Sequence, residues 1–365
     1  MGERIAQARV RAGLTQAELA TEVSLDRSVL AKIEGGSRRV TALELARIAD
    51  AVGERIEWFV TDPPPAIVAH RNLADPGAPS PVIDRAVERL ARSVEFLLEH
   101  HEEFVLPEDM PMPRPRTVAE AEDSAAKARE RLGLDRIEPV LDISARAAEN
   151  GLFVFSLDLG REAADAASIL LARGGVAVVN GQRLVGRRRL AAAHELGHYL
   201  FADDYTVDWR IAEQDDDDAW ESRLDRFARA VLLPAEGVSA KWSEAIDKSD
   251  DMRTAAVLTA SDFRVDMSTL SRRLYELRLV GREDANLVRS VRTTKSDIVD
   301  LNLVIVDELA PPALPRRYVQ SVLELYRRLT VSGARALDLL LDTWTDEDLP
   351  PLPMLPESAI WQFLT

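Results

Sequence analysis

The chain has 365 residues, 46% of them hydrophobic, a formal net charge of -16 and no cysteine. That length accommodates two or three domains with a sizeable core. The lack of cysteine excludes disulfides, thiolate metal sites and cysteine nucleophiles, which fits a cytoplasmic setting, and the acidic balance excludes a whole-chain nucleic-acid coat, so any DNA contact must come from a local patch.

The first ten residues, Met1 to Val10, are charged and lack an apolar signal-peptide core. Ala6 fails the myristoylation pattern, and no run of 18 apolar residues exists, so no contact with a membrane is expected. Residues 1–60 read as five helices. Glu3–Ala12 closes at Gly13, and Thr15 with Glu18 forms a capping box for a helix reaching Val23. Ser24 to Gly35 is a third helix stopped by Gly35-Gly36; Thr41 to Val52 is a fourth stopped by Gly53; a short fifth holds Trp58 and Phe59.

Residues 13–36, GLTQAELATEVSLDRSVLAKIEGG, resemble the helix-turn-helix of the XRE/Cro repressor family. The resemblance implies a double-stranded DNA operator as partner, with the third helix in the major groove. Arg27, Ser28, Val29 and Lys32 take its outward positions, where Arg and Lys can donate to guanine and a small apolar group can touch a thymine methyl. Gln16 would contact phosphate, joined by Arg38 and Arg39 from the following loop. Against this, residues 1–60 hold nine basic and nine acidic residues. A net charge of zero suits non-specific DNA affinity poorly, and such a fold can also bind protein.

Prolines mark the next boundaries. Pro63-Pro64-Pro65 with Pro76 to Pro81, and Pro107 to Pro115, read as linkers around one long helix within 61–116. Its apolar positions Ile83, Val87, Leu90, Val94, Leu97 and Phe104, with His101, follow a heptad over about three repeats. Two readings stay open: a coiled coil forming a homodimer, or a helix lying on its own protein.

Residues 117–280 read as one α+β domain. Helices are expected at Val118–Leu132 and Glu138–Asn150, strands at Leu152–Leu157 and Gly175–Val179, helices near 187–202 and 217–233, and a helical pair near 252–280. The central signal is His194-Glu195-Leu196-Gly197-His198. Two imidazoles at i and i+4 on a helix face one ion, and Glu195 lies where a general base would reach a metal-bound water. No histidine follows His198, so a third ligand must be a carboxylate. Glu221 extends the apolar stripe Leu224, Ala228, Val231 and Leu232, and an inward carboxylate needs a partner. Asp203, Asp204 and Glu213 compete for the role. His70, His100 and His101 lack this geometry and read as structural or solvated.

Val178-Val179-Asn180, the stretch Arg187 to Phe201 ending in HELGHYLF, and ESRLDRFARAVLLP from Glu221 to Pro234 resemble the ImmA/IrrE metallopeptidase family. Phe263-Arg264-Val265-Asp266 through Leu274 is also similar to it. The resemblance implies a zincin-like fold, Zn2+ as cofactor on His194, His198 and Glu221, and Glu195 as catalytic base. Where that family commonly has Ala-Asn or Ala-Asp, this chain has Leu224-Asp225; Asp225 keeps an acidic group that can hydrogen-bond a ligand. The whole then reads as a mainly α (α+β) regulator of transcription with endopeptidase activity, cutting a protein substrate that is a repressor-like protein or the chain itself. The alternative is a DNA-binding regulator whose peptidase-like domain only senses a ligand. Residues 281–365 are helical and proline-punctuated, with no role assigned.

Overall fold

The computed structural model describes residues 1–60, 69–71, 80–104, 111–202, 214–249 and 251–352. The competing acids Asp203, Asp204 and Glu213 and most of the proline linkers lie outside these residues. The chain divides into two compact units, Met1–Pro64 and Pro65–Thr365.

The first unit is five helices: α1 (Gly2–Arg11), α2 (Gln16–Glu22), α3 (Arg27–Glu34), α4 (Ala42–Val52) and α5 (Ile56–Val60). The Thr15 hydroxyl accepts from the Glu18 amide at 3.2 Å, and the Glu18 carboxylate accepts from the Thr15 amide at 2.7 Å. Thr41 and Glu44 repeat this box for α4, which ends on left-handed Gly53. The third helix starts three residues later than expected. Ser24 takes a left-handed φ of 57° and turns the chain before Asp26, which becomes the cap position. Ile5, Leu19, Leu30, Ile33, Ile48 and Phe59 fill the core.

The second unit is built on a four-stranded sheet. Its strands are β1 (Ala69–Arg71), β2 (Leu152–Leu157), β3 (Ala166–Leu170) and β4 (Gly175–Asn180), in the order β1-β3-β4-β2. β2 and β4 run parallel; β3 is antiparallel to both β4 and β1. Side chains alternate between two cores. Leu152, Val154, Ala177 and Val179 enter one; Phe153, Phe155, Val176 and Val178 enter the other. A sheet covered on both faces needs continuous apolar strands, which is why β2 and β4 stand out as unbroken runs.

The first face carries α7 (Val118–Arg131), α8 (Ile143–Glu149), α9 (Val185–Leu200), α10 (Gln214–Leu232), α11 (Ala235–Ser249), α12 (Met252–Phe263) and α13 (Met267–Glu276). α8 begins five residues after the expected Glu138, because Asp142 caps it through the Ala145 amide at 2.9 Å. On the opposite face lies α6 (Pro81–His100). Ile83, Val87, Leu90, Val94 and Leu97 are fully buried there, and Phe104 stacks on Phe153 with ring centroids 5.2 Å apart. The heptad seam is therefore covered by the chain's own sheet, not by a coiled-coil partner. A helix on a sheet and a helix in a coiled coil bury the same stripe, so the homodimer expectation loses its basis. His101 is buried and lies 3.0 Å from Glu324, while exposed His100 stacks on Phe96. His70 stands in β1 opposite Ala167.

The C-terminal part is integral to this unit. It contains α14 (Arg282–Ser290), α15 (Lys295–Asp300), α16 (Arg316–Arg327) and α17 (Gly333–Leu339). α16 and α17 bury Tyr318, Val322, Leu325 and Leu339 in the core under α6. The segment between α15 and α16 pairs with β2 through Ser156 and Ala313, at 2.9 and 2.8 Å, and Ser156 Oγ donates to the Leu309 carbonyl at 2.7 Å. Among the described residues, no helix is long and apolar enough to cross a membrane.

Candidate metal centre and helix-turn-helix face

α9 lies between the sheet and α10 and is buried along almost its whole length. Its basic run is anchored rather than presented. Arg188 pairs with Asp307, Arg189 with Glu308, and buried Asp165 accepts from Arg183 at 2.5 Å and Arg187 at 2.7 Å. With the helix so held, His194 and His198 turn toward α10 as i, i+4 neighbours. Gly197 sets the closeness of that approach: a Cβ there would meet Leu224 Cδ2 at 2.9 Å and Phe227 Cδ1 at 3.1 Å. Its absence lets α10 bring Glu221 to the pair.

The Nε2 atoms of His194 and His198 are 3.2 Å apart. Glu221 Oε2 lies 3.1 Å from His194 Nε2, and Oε1 lies 3.8 Å from His198 Nε2. One donor atom from each of the three residues lies within 4.8 Å of the other two. Asp225 Oδ1 is 3.0 Å from His194 Nδ1, on the far side of the ring. Asp225 can hold a proton on Nδ1, which makes Nε2 the ring atom that would bind an ion. Burial disfavours the Glu221 carboxylate, but the hydrogen bond to His194 and the charges of both rings outweigh it and hold its pKa below the usual carboxylate range.

Glu195 is fully buried beside this cluster. Its Oε2 accepts from Ser168 Oγ at 2.6 Å, whereas its Oε1 has no hydrogen-bond partner among the described residues. A fully buried carboxylate oxygen left without a donor is costly unless something else meets it. The two imidazoles and the carboxylate of His194, His198 and Glu221 form a donor set that suits zinc with a position left for water. The residues present therefore fit the metal that the sequence implies.

Ser168 and Gly197 were not foreseen as parts of this site. Ser168 lies on β3, a strand of small residues without the length or aromatic content of β2, and nothing in its neighbours points to Glu195. Gly197 stood in the motif, but its packing role needs the position of α10.

In the first unit, α3 presents Arg27, Ser28 and Lys32 to solvent. Val29 is half-buried and packs against the core, so it is less available than the outward position assigned to it. Arg39 is exposed. Gln16 and Arg38 are engaged within the unit: Gln16 donates to Glu34 at 2.7 Å and Arg38 to Glu44 at 2.8 Å. As it stands, the free cations of this face are fewer than the sequence suggests.

Residues 2–63 match the family model of a helix-turn-helix domain, and residues 147–275 match a peptidase-family model described as the IrrE N-terminal-like domain. The chain thus carries an XRE-type helix-turn-helix, a class of domain that suggests DNA binding, followed by a domain of a peptidase family. The second match spans β2 to α13 and includes the three converging residues. No curated protein and no solved structure is significantly similar to the chain.

Proposed function

We propose that this protein is a DNA-binding transcriptional regulator with zinc-dependent endopeptidase activity, in which His194, His198 and Glu221 hold the ion and Glu195 is the general base. The supporting observation is the convergence of two imidazole nitrogens and a carboxylate beside a fully buried glutamate with one unpartnered oxygen. When bound, zinc would supply Lewis acidity and bring the pKa of a coordinated water toward neutrality. The chain's residues do the rest. Asp225 holds the tautomer of His194 by taking the Nδ1 proton in a hydrogen bond. Ser168 holds Glu195 Oε2, which leaves Oε1 to accept a proton and return it to the leaving amine. Burial of Glu195 excludes bulk water from that oxygen. The substrate is a repressor-like protein or the chain's own N-terminal unit, and cleavage there would end repression. Arg27, Ser28 and Lys32 on α3, with Arg39, are the residues best exposed to meet an operator.

The test combines metal analysis with cleavage. His194→Ala and Glu221→Ala are expected to lose stoichiometric zinc. Glu195→Gln is expected to keep zinc while cleavage of a repressor-like substrate, or release of a fragment of helix-turn-helix size, falls by about 100-fold or more. A Glu195→Gln protein that cuts at the wild-type rate refutes the general base. One that neither cuts nor differs from wild type in regulating its operator supports the reading in which the domain only senses a ligand.

A further inference from the structure

Behind the metal site, on the Nδ1 side of His194, a cavity of about 480 Å³ opens between α10, α13 and α14. That is a common size for a small-molecule site. Among the described residues its wall carries Arg229, Arg272, Arg282 and Arg289 against one acid, Asp225. Four described cations facing one described anion is a local reversal in a chain of net charge -16. Glu276 neutralises two of them, lying 3.0 Å from Arg229 and 3.1 Å from Arg272. Arg282 and Arg289 are exposed and form no ion pair among the described residues. Tyr275 and Asn286 add polar groups on the same wall, and Tyr275 is 43% exposed. Unpaired guanidinium groups are planar donors suited to phosphate oxygens. Both come from α14, which lies beyond the 147–275 region matched by the peptidase family.

We propose that this pocket binds a small phosphate-bearing ligand, whose presence is felt at the metal centre through Arg229 and Asp225. Arg229 is 3.7 Å from Asp225 Oδ2, and Asp225 Oδ1 is 3.0 Å from His194 Nδ1. A phosphate that draws Arg229 toward itself weakens its hold on Asp225 and so alters the support of His194. The binding does not depend on peptide hydrolysis, and its readout stands whether or not the protein cuts anything.

The test is calorimetric titration of the full chain at physiological ionic strength with ADP, inorganic pyrophosphate, adenosine and a glutamate-rich peptide. ADP or pyrophosphate is expected to bind with a Kd below about 100 μM, and adenosine alone is not. A double variant, Arg282→Gln with Arg289→Gln, exposed on both sides and expected to melt as the wild type does, should weaken that binding by about tenfold or more. Binding of both phosphates alike assigns the site to the phosphate group; preference for ADP assigns it to a nucleotide. The ADP affinity of zinc-loaded and metal-free protein is expected to differ by about threefold or more. Failure of both phosphates to bind, binding untouched by the double variant, or capture of the peptide alone overturns the ligand class. Equal affinities with and without zinc overturn the link to the metal.

Discussion

Each unit of this protein buries a glutamate at its centre, and the two are treated differently. Glu34, at the end of α3, is 8% exposed and both its oxygens are met: Arg9 donates to Oε1 at 2.7 Å and to Oε2 at 3.1 Å, and Gln16 donates to Oε2 at 2.7 Å. Glu195 is fully buried and only Oε2 is met. A buried carboxylate whose lone pairs are filled by its own chain is a structural tie, joining α1, α2 and α3. One left half-filled keeps an oxygen available to something else. Both glutamates lie in sequence motifs, and the accounting of donors separates them on physical grounds.

The filled glutamates are expected to govern stability and the half-filled one chemistry. Glu122 on α7 gives the largest test. It pairs with Arg226 and with Arg273, whose side chain is wholly buried and donates to Glu122 Oε2 at 2.8 Å. Glu122→Gln leaves that buried cation under-compensated and is expected to cost about 3 kcal/mol in chemical denaturation of the second unit, with zinc still bound to the folded protein. The sign with pH follows from the carboxylate. Burial pushes its pKa up, but the hydrogen bond and charge of Arg273, with the charge of Arg226, bring it below the ordinary value. The stability it contributes is therefore present above the unfolded value of about 4.3 and is lost as pH falls through the lower folded one. The gap between variant and wild type should be full at neutral pH and shrink as pH falls below about 4.3. A gap that widens on acidification would refute the assignment.

Glu34 gives a smaller effect, because Arg9 keeps some contact with solvent and also donates to the Leu14 carbonyl. Glu34→Leu is expected to destabilise the helix-turn-helix unit by about 1–2 kcal/mol. It should speed hydrogen exchange in α1 to α3 while exchange in α9 and α10 is unchanged. Equal speeding in both units would show that the two cores are not independent, and the comparison would lose its meaning.

How much of this was legible beforehand follows the same physics. Local signals carried well: the Thr15 box, the Gly53 stop and the i, i+4 histidines depend on neighbours within one turn. Glu221 was legible as an acid extending an apolar stripe, though the stripe alone left other acids in play. What failed were properties set by distant partners. The seam of α6 reads the same whether a second chain or a sheet covers it. β3 was missed because Ala166-Ala167-Ser168-Ile169-Leu170 gains its strand character from β4 and β1 on either side. α11 went unmarked, its buried residues few and widely spaced among polar ones. Gln16 and Arg38 were assigned to DNA because sequence cannot reveal that Glu34 and Glu44 already hold them.

Ser168 is the finest test of the contrast, since it separates positioning from packing. Its hydroxyl is the sole described donor to Glu195 and lies on a strand, a rigid support. Ser168→Ala removes one oxygen from a site where Ala166 and Ala167 are already tolerated, so little change in folding is expected from volume. The loss falls on Glu195, whose second oxygen then also lacks a donor and whose rotamer is no longer fixed. Zinc stoichiometry should stay at the wild-type level and KM should change little, while kcat for a peptide substrate drops about tenfold, equal to about 1.4 kcal/mol of transition-state stabilisation. Ser168→Thr, which keeps the hydroxyl, should recover most of that rate. If Ser168→Ala instead lowers stability and zinc content together, Ser168 is another structural tie like Glu34, and the division between filled and half-filled glutamates does not run where it has been drawn.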